Sequence, residues 1–268
     1  MAARGIRLFK GKEPLLRQLL FELRYRYGYT YLDKCGRILN RLLRENPEWI
    51  LGSEATPQGT PLYNLRNGCR FTFSSLKLNL SLDKTTADEP VTEDEQRDFI
   101  EAVDIFSRVV IDELSLREFP RMGVRCLYYF PCESKEESEG WLRGLGLFGV
   151  SQKLLLAFGA TVEAAGASMV LTGQECRYRI ALNGVEINAQ IDMGPEILQV
   201  RASKLPEGQK AHLREQMKQH RRRQVNSGYA VVADVDAYHE DPPIPDPRDF
   251  ATTHIGSILD LLRAAVAE

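Results

Sequence analysis

The stretch that most limits what this chain can fold into is Leu76-Lys-Leu-Asn-Leu-Ser-Leu82, where leucines alternate strictly with polar residues. A period of two places every leucine on one side of an extended backbone, which predicts a half-buried strand with one wet face. A sheet built of such strands needs cover on its apolar side, and the cover follows in sequence. Thr92-x-x-Glu95 is a capping box, in which each residue can satisfy an orphan amide at a helix start. Beyond it, Phe99, Val103, Phe106 and Val110 recur with the spacing of an amphipathic helix.

Similar patterns flank this pair. Phe21, Leu23, Tyr25 and Tyr27 alternate with Glu22, Arg24 and Arg26, predicting a strand with a charged outer face. After Gly28, Thr30 can cap a helix striped by Leu32, Cys35, Ile38, Leu39, Leu42 and Leu43, which Asn46-Pro47 stops. Residues 52–62 read as a polar loop. Cys69, Phe71 and Phe73 suggest a strand joined through Ser74-Ser75 to the leucine strand, and Val124–Phe130 reads as another strand, bounded by Pro120 and Pro131. The order β-α-β-β-α-β is that of the ferredoxin-like, split βαβ arrangement.

Residues 133–140 are polar and acidic and read as a connection. A short helix near Gln152–Phe158 follows, then strands near 161–172, 175–182, 185–192 and 197–203. Asn183-Gly184 is the signal of a type I′ hairpin between the second and third of these. A helix over 207–224, a strand over Tyr229–Ala237, a proline-rich break and a helix over Phe250–Val266 complete the chain. The expected fold class is α+β in two lobes: a ferredoxin-like βαββαβ lobe over 1–132, an acidic connection over 133–140, and over 141–268 an antiparallel β-meander with helices on one face.

Composition excludes several classes. With 268 residues, 43 % hydrophobic and 27 % charged, the chain is neither disordered nor collagen-like. It contains no apolar run of the ~18 residues a membrane helix needs, and its basic N-terminus is followed by no signal-type apolar region. Five scattered cysteines (Cys35, Cys69, Cys126, Cys132 and Cys176) form no Cys-x-x-Cys pair, so reduced thiols in a cytoplasmic protein are expected. The formal charge of −2 conceals blocks: acidic residues crowd 83–118, and 201–223 is strongly basic.

Few residues point to chemistry. Gly144-x-Gly146-x-x-Gly149 matches a dinucleotide-binding pattern, but the strand that should precede it is missing, so a glycine turn and no cofactor are expected. His212, His220, His239 and His254 stand near no nucleophile motif, and no catalytic residue is assigned. Asp234-Val-Asp236 places two carboxylates on one side of a strand; they could ligate magnesium, or manganese or zinc with His239, or they could pair with arginines. Glu22, Arg24 and Arg26 suggest ion pairs across strands, to Arg125 or Arg70. Arg214, Lys218, Arg221, Arg222 and Arg223 make 207–224 a basic helix that could grip an acidic protein segment or track phosphates. No aromatic residue interleaves with these cations, so base stacking from that helix is not indicated.

Phe21-Glu-Leu-Arg-Tyr25, Arg121-Met-Gly-Val-Arg-Cys-Leu-Tyr128 and Val232-Ala-Asp-Val-Asp236 together resemble a sporadically distributed bacterial family of unknown function, over nearly the whole length. Similar proteins carry Tyr-Ile-Asn-like residues after the Gly-Val-Arg segment, where this chain has Cys126-Leu-Tyr-Tyr129. The resemblance implies a two-lobed α+β protein without assigned catalytic residues, and by association a place in a defence or conflict system. The functional expectation is a non-enzymatic accessory or regulatory subunit that binds another protein. The alternatives are nucleic-acid binding through helix 207–224 and a metal-dependent enzyme using Asp234 and Asp236. No membrane partner is expected.

Overall fold

A computed structural model describes residues 14–84, 89–144, 166–173, 176–187, 228–243 and 246–267. Nine strands form one antiparallel sheet: β1 (Leu15–Arg24), β2 (Trp49–Leu51), β3 (Thr60–Asn64), β4 (Arg70–Phe73), β5 (Lys77–Asp83), β6 (Arg121–Cys132), β7 (Gly166–Thr172), β8 (Arg177–Ile187) and β9 (Gly228–Glu240). Their order across the sheet is β2-β3-β4-β5-β1-β6-β9-β8-β7. Helices α1 (Tyr31–Glu45), α2 (Glu93–Leu114), α3 (Lys135–Gly144) and α4 (Pro247–Ala267) pack on one side of it. The fold is therefore α+β, and no helix among the described residues is long and apolar enough to cross a membrane.

From Leu78 onward the leucine alternation acts as its period predicts, while Leu76 lies before the strand and is exposed. Leu78, Leu80 and Leu82 lie buried against the helices, while Lys77, Asn79 and Ser81 face the other way. The capping box forms in full: the Glu95 amide donates to the Thr92 hydroxyl, and the Thr92 amide donates to the Glu95 carboxylate. Phe99, Val103, Phe106 and Val110 of α2 are buried, with the Phe106 ring against Trp49 and Phe71. On α1 the buried stripe is Tyr31, Cys35, Ile38 and Leu42, and Leu32 points to solvent.

Several expectations need correction. Strand β1 begins at Leu15, six residues before the alternation at Phe21. A register shift between Leu16 and Gln18 breaks the period there, and the displaced Arg17 donates to the carbonyls of Lys84 and Glu89. The strand also ends at Arg24, so Tyr25 and Tyr27 lie beyond it. The polar loop over 52–62 gives way to β3 at Thr60, and β2–β3 adds a hairpin outside β4. Pro131 lies inside β6 instead of ending it, paired with Ala230 of β9 and beyond the last described β1 partner at Tyr129. The acidic connection over 133–140 is largely helical, because α3 starts at Lys135. The Asn183-Gly184 hairpin does not form: β8 runs unbroken through both residues, paired with β9 along its length. Gly184 sits instead beneath α3, against Ser138 and Leu142.

Where two lobes were expected, the sheet passes without interruption from one half of the chain to the other, through the pairing of β6 with β9 from Arg121 to Cys132. The predicted elements near 152–158, 197–203 and 207–224 lie outside the described residues.

Candidate functional site on the uncovered sheet face

Opposite the helices, the central strands carry a continuous polar network. Its organising residue is Arg121. One guanidinium nitrogen donates to Glu22 of β1 at 2.8 Å, and another donates to both oxygens of Asp236 on β9 at 2.8 and 2.9 Å. The same group lies over the Tyr238 ring, 4.9 Å from its centre. This reach depends on Gly123. That residue stands between Glu22 and Tyr238 in the register, and a Cβ there would come within 3.1 Å of three guanidinium atoms of Arg121. The cation thus occupies the space a side chain would fill.

The network continues outward. Glu22 also accepts from Arg24 at 2.7 Å and from Lys77 of β5 at 3.3 Å. Arg125 makes a two-pronged contact with Asp234, both bonds at 2.6 Å. Arg177 of β8 pairs with Glu240 at 2.9 Å. Arg179 stands opposite Asp236 in the register, exposed and with no ion-pair partner among the described residues.

The two central carboxylates respond differently to this setting. Burial works against the charge of Glu22, but the hydrogen bonds and charges of Arg24 and Lys77 outweigh it and hold the carboxyl below its ordinary range. At Asp236 burial prevails over Arg121, and its carboxyl is raised. The Arg125 guanidinium is held more firmly protonated by its hydrogen bonds to Asp234. On the covered face burial pushes the Cys69 thiol up to about 12 and that of Cys126 higher still, which disfavours their thiolates.

Asp234 and Asp236 do share one side of β9, as the strand period requires, and arginines hold both of them. His239 falls on the opposite side by the same alternation. Among the described residues, no cluster of three or more histidine, cysteine or acidic side chains is arranged to hold a metal. Arg26 pairs with Glu118 at 3.7 Å instead of crossing the sheet, and Arg70 lies over the Tyr63 ring. Arg214, Lys218, Arg221, Arg222 and Arg223 lie outside the described residues. Residue patterns did not single out Arg121, Gly123, Tyr238 or Lys77 as site residues. The only sequence signal for Arg121 and Gly123 was the Arg121–Tyr128 segment itself. That segment, Phe21–Arg24 and Val232–Asp236 lie on the adjacent strands β6, β1 and β9, and the network draws two charged residues from each.

Comparison with family models and with curated proteins gives no match for this chain.

Proposed function

We propose that this chain is a non-enzymatic binding module, an accessory or regulatory subunit that takes a protein partner on the uncovered face of its sheet. The observation that favours this reading is how the tyrosines of that face are used. Tyr63, Tyr129 and Tyr238 each have a guanidinium over the ring, from Arg70, Arg17 and Arg121 respectively. A ring already covered by a cation is a poor platform for a nucleobase, which removes the stacking that single-strand binders rely on. The exposed guanidinium groups of Arg24, Arg70 and Arg179 suit a protein surface bearing carboxylates, since arginine is among the residues that anchor such contacts.

Two further readings accompany this one. The order β4-β5-β1-β6 supports reading the first half as a ferredoxin-like βαββαβ unit with the β2–β3 hairpin added at its edge. The convergence of the three signature segments on adjacent strands supports the family resemblance.

The test replaces the exposed cations Arg24 and Arg179 with glutamate and compares capture of partner proteins from the native host with capture by the unaltered chain. Loss of a specific captured protein is expected from a variant that stays folded by circular dichroism, although its melting temperature falls as Arg24 leaves Glu22; retention by the double variant rejects this face. A filter-binding titration with an oligonucleotide at two salt concentrations separates the nucleic-acid alternative, for which affinity would fall steeply with salt. Charge reversal of Arg221, Arg222 and Arg223 in the same assays examines the basic segment.

A further inference from the structure

The two edges of the sheet are protected very differently. At one edge, β2 is three residues long and its Trp49 is buried in the core. At the other, β7 runs for seven residues, Gly166-Ala-Ser-Met-Val-Leu-Thr172, in unbroken register with β8. Among the described residues no strand pairs with its outer side. The strand contains no charge, no proline and no bulge, the devices that keep an edge from pairing with another chain. It also leaves two large apolar side chains in water, Val170 at 56 % and Leu171 at 47 % exposed. These two point to opposite faces of the sheet.

We propose that β7 pairs antiparallel with β7 of a second copy of this chain, making a twofold dimer whose sheet is continuous across the seam. The side-chain order within the strand is the reason to choose a second copy over another partner. The first half of β7 is small (Gly166, Ala167, Ser168) and the second half larger (Val170, Leu171, Thr172), with Met169 at the centre. Antiparallel self-pairing about Met169 sets Val170 against Ser168 of the partner copy on the uncovered face. It sets Leu171 against the partner copy's Ala167 on the helix side, large on small in each case. An isologous contact requires such self-complementarity, and a strand without charge meets its own copy without repulsion. The arginines of the neighbouring strand do not oppose it. Arg179 and its counterpart would be separated by three strand spacings, about 14 Å, beyond the ~8 Å screening length at physiological salt.

Size-exclusion chromatography with light scattering on the full chain is expected to give twice the chain mass of 30.4 kDa. Val170→Lys, which puts a charge against its own seam, is expected to weaken association at least tenfold and return the chain mass. Cysteine placement then tests the register. Met169→Cys faces its own copy at a Cα separation of about 5 Å, within reach of a disulfide, and is expected to cross-link under oxidation. Leu171→Cys, about 14 Å from its counterpart in this register, is not. The unaltered chain, with its native cysteines, serves as the control. A monomer at all concentrations, a Val170→Lys variant that remains dimeric, or equal cross-linking at both cysteine positions would each overturn the proposal.

Discussion

On β1, Leu19, Phe21 and Leu23 lie beneath the helices with no exposed surface, while Leu20, Glu22 and Arg24 line the uncovered face between them. The same strand thus serves two environments that differ in how tightly they specify their occupants. The covered face is filled by shape: aromatic and leucine side chains from the sheet and helices interlock, and any loss of volume leaves a void. The uncovered face is filled by charge, where each carboxylate is matched to particular cations and geometry decides the outcome. Shape tolerates rearrangement among apolar residues, whereas a shared ion network fails when one member leaves, because the remaining charge stays partly buried without its partner.

The comparison can be broken most severely from the covered side. Phe106→Ala removes the ring lodged between Trp49 and Phe71, and a loss of about 3–5 kcal/mol is expected by chemical denaturation. A loss below ~1 kcal/mol would mean that this face is not close-packed at its centre. Next comes the network. Glu22→Gln deprives Arg24, Lys77 and Arg121 of their common acceptor and is expected to cost about 2–3 kcal/mol.

The pH dependence separates Glu22 from Asp236. Because the folded Glu22 carboxyl is lowered, its contribution is present above the ordinary carboxylate range and lost as pH falls through its folded value. Glu22→Gln should therefore flatten the acid limb of a melting-temperature profile. Asp236 is raised, so its ionisation opposes folding as pH rises through its folded value. Asp236→Asn should relieve that opposition and make the acid limb steeper. Identical profiles for the two variants would sink the distinction.

Gly123→Ala is a smaller perturbation of the same network. The added carbon would displace the Arg121 guanidinium, and an expected loss of about 1–2 kcal/mol should vanish when Arg121 is already alanine. Additive losses in that double-mutant cycle would refute the placement of the cation over Gly123. The smallest expected effect is a gain. Tyr27 adopts φ of 60° and is 64 % exposed, so Tyr27→Gly should raise stability by up to about 1 kcal/mol, read from the denaturation midpoint. A lower midpoint would show that the ring makes a stabilising contact.

Much of the architecture could be read from local patterns because those patterns are responses to one-sided burial. The alternation from Leu78 to Leu82, the capping box at Thr92 and the stripe of α2 all appear where the periods place them. Errors arose where a tertiary neighbour overrode a local preference. Asn183-Gly184 carries strong turn chemistry, yet strands on both sides and α3 above keep it extended. The start of β1 was hidden because the displaced Arg17 breaks the period, and β2 and β3 are too short for alternation to declare itself. At the site, Asp234 and Asp236 were legible as a pair on one side of a strand, and Glu22 as a charge facing outward. Their partners were not, since the arginines lie about a hundred residues away in the chain.

The sequence by itself therefore determined the longer elements of the first half and the side each one buries, because periodicity is a property of neighbours along the chain. The tertiary structure decided which charges meet. Arg121 reaches Glu22 and Asp236 together only because β6 lies between β1 and β9 and Gly123 leaves its space vacant, and no local pattern encodes either fact.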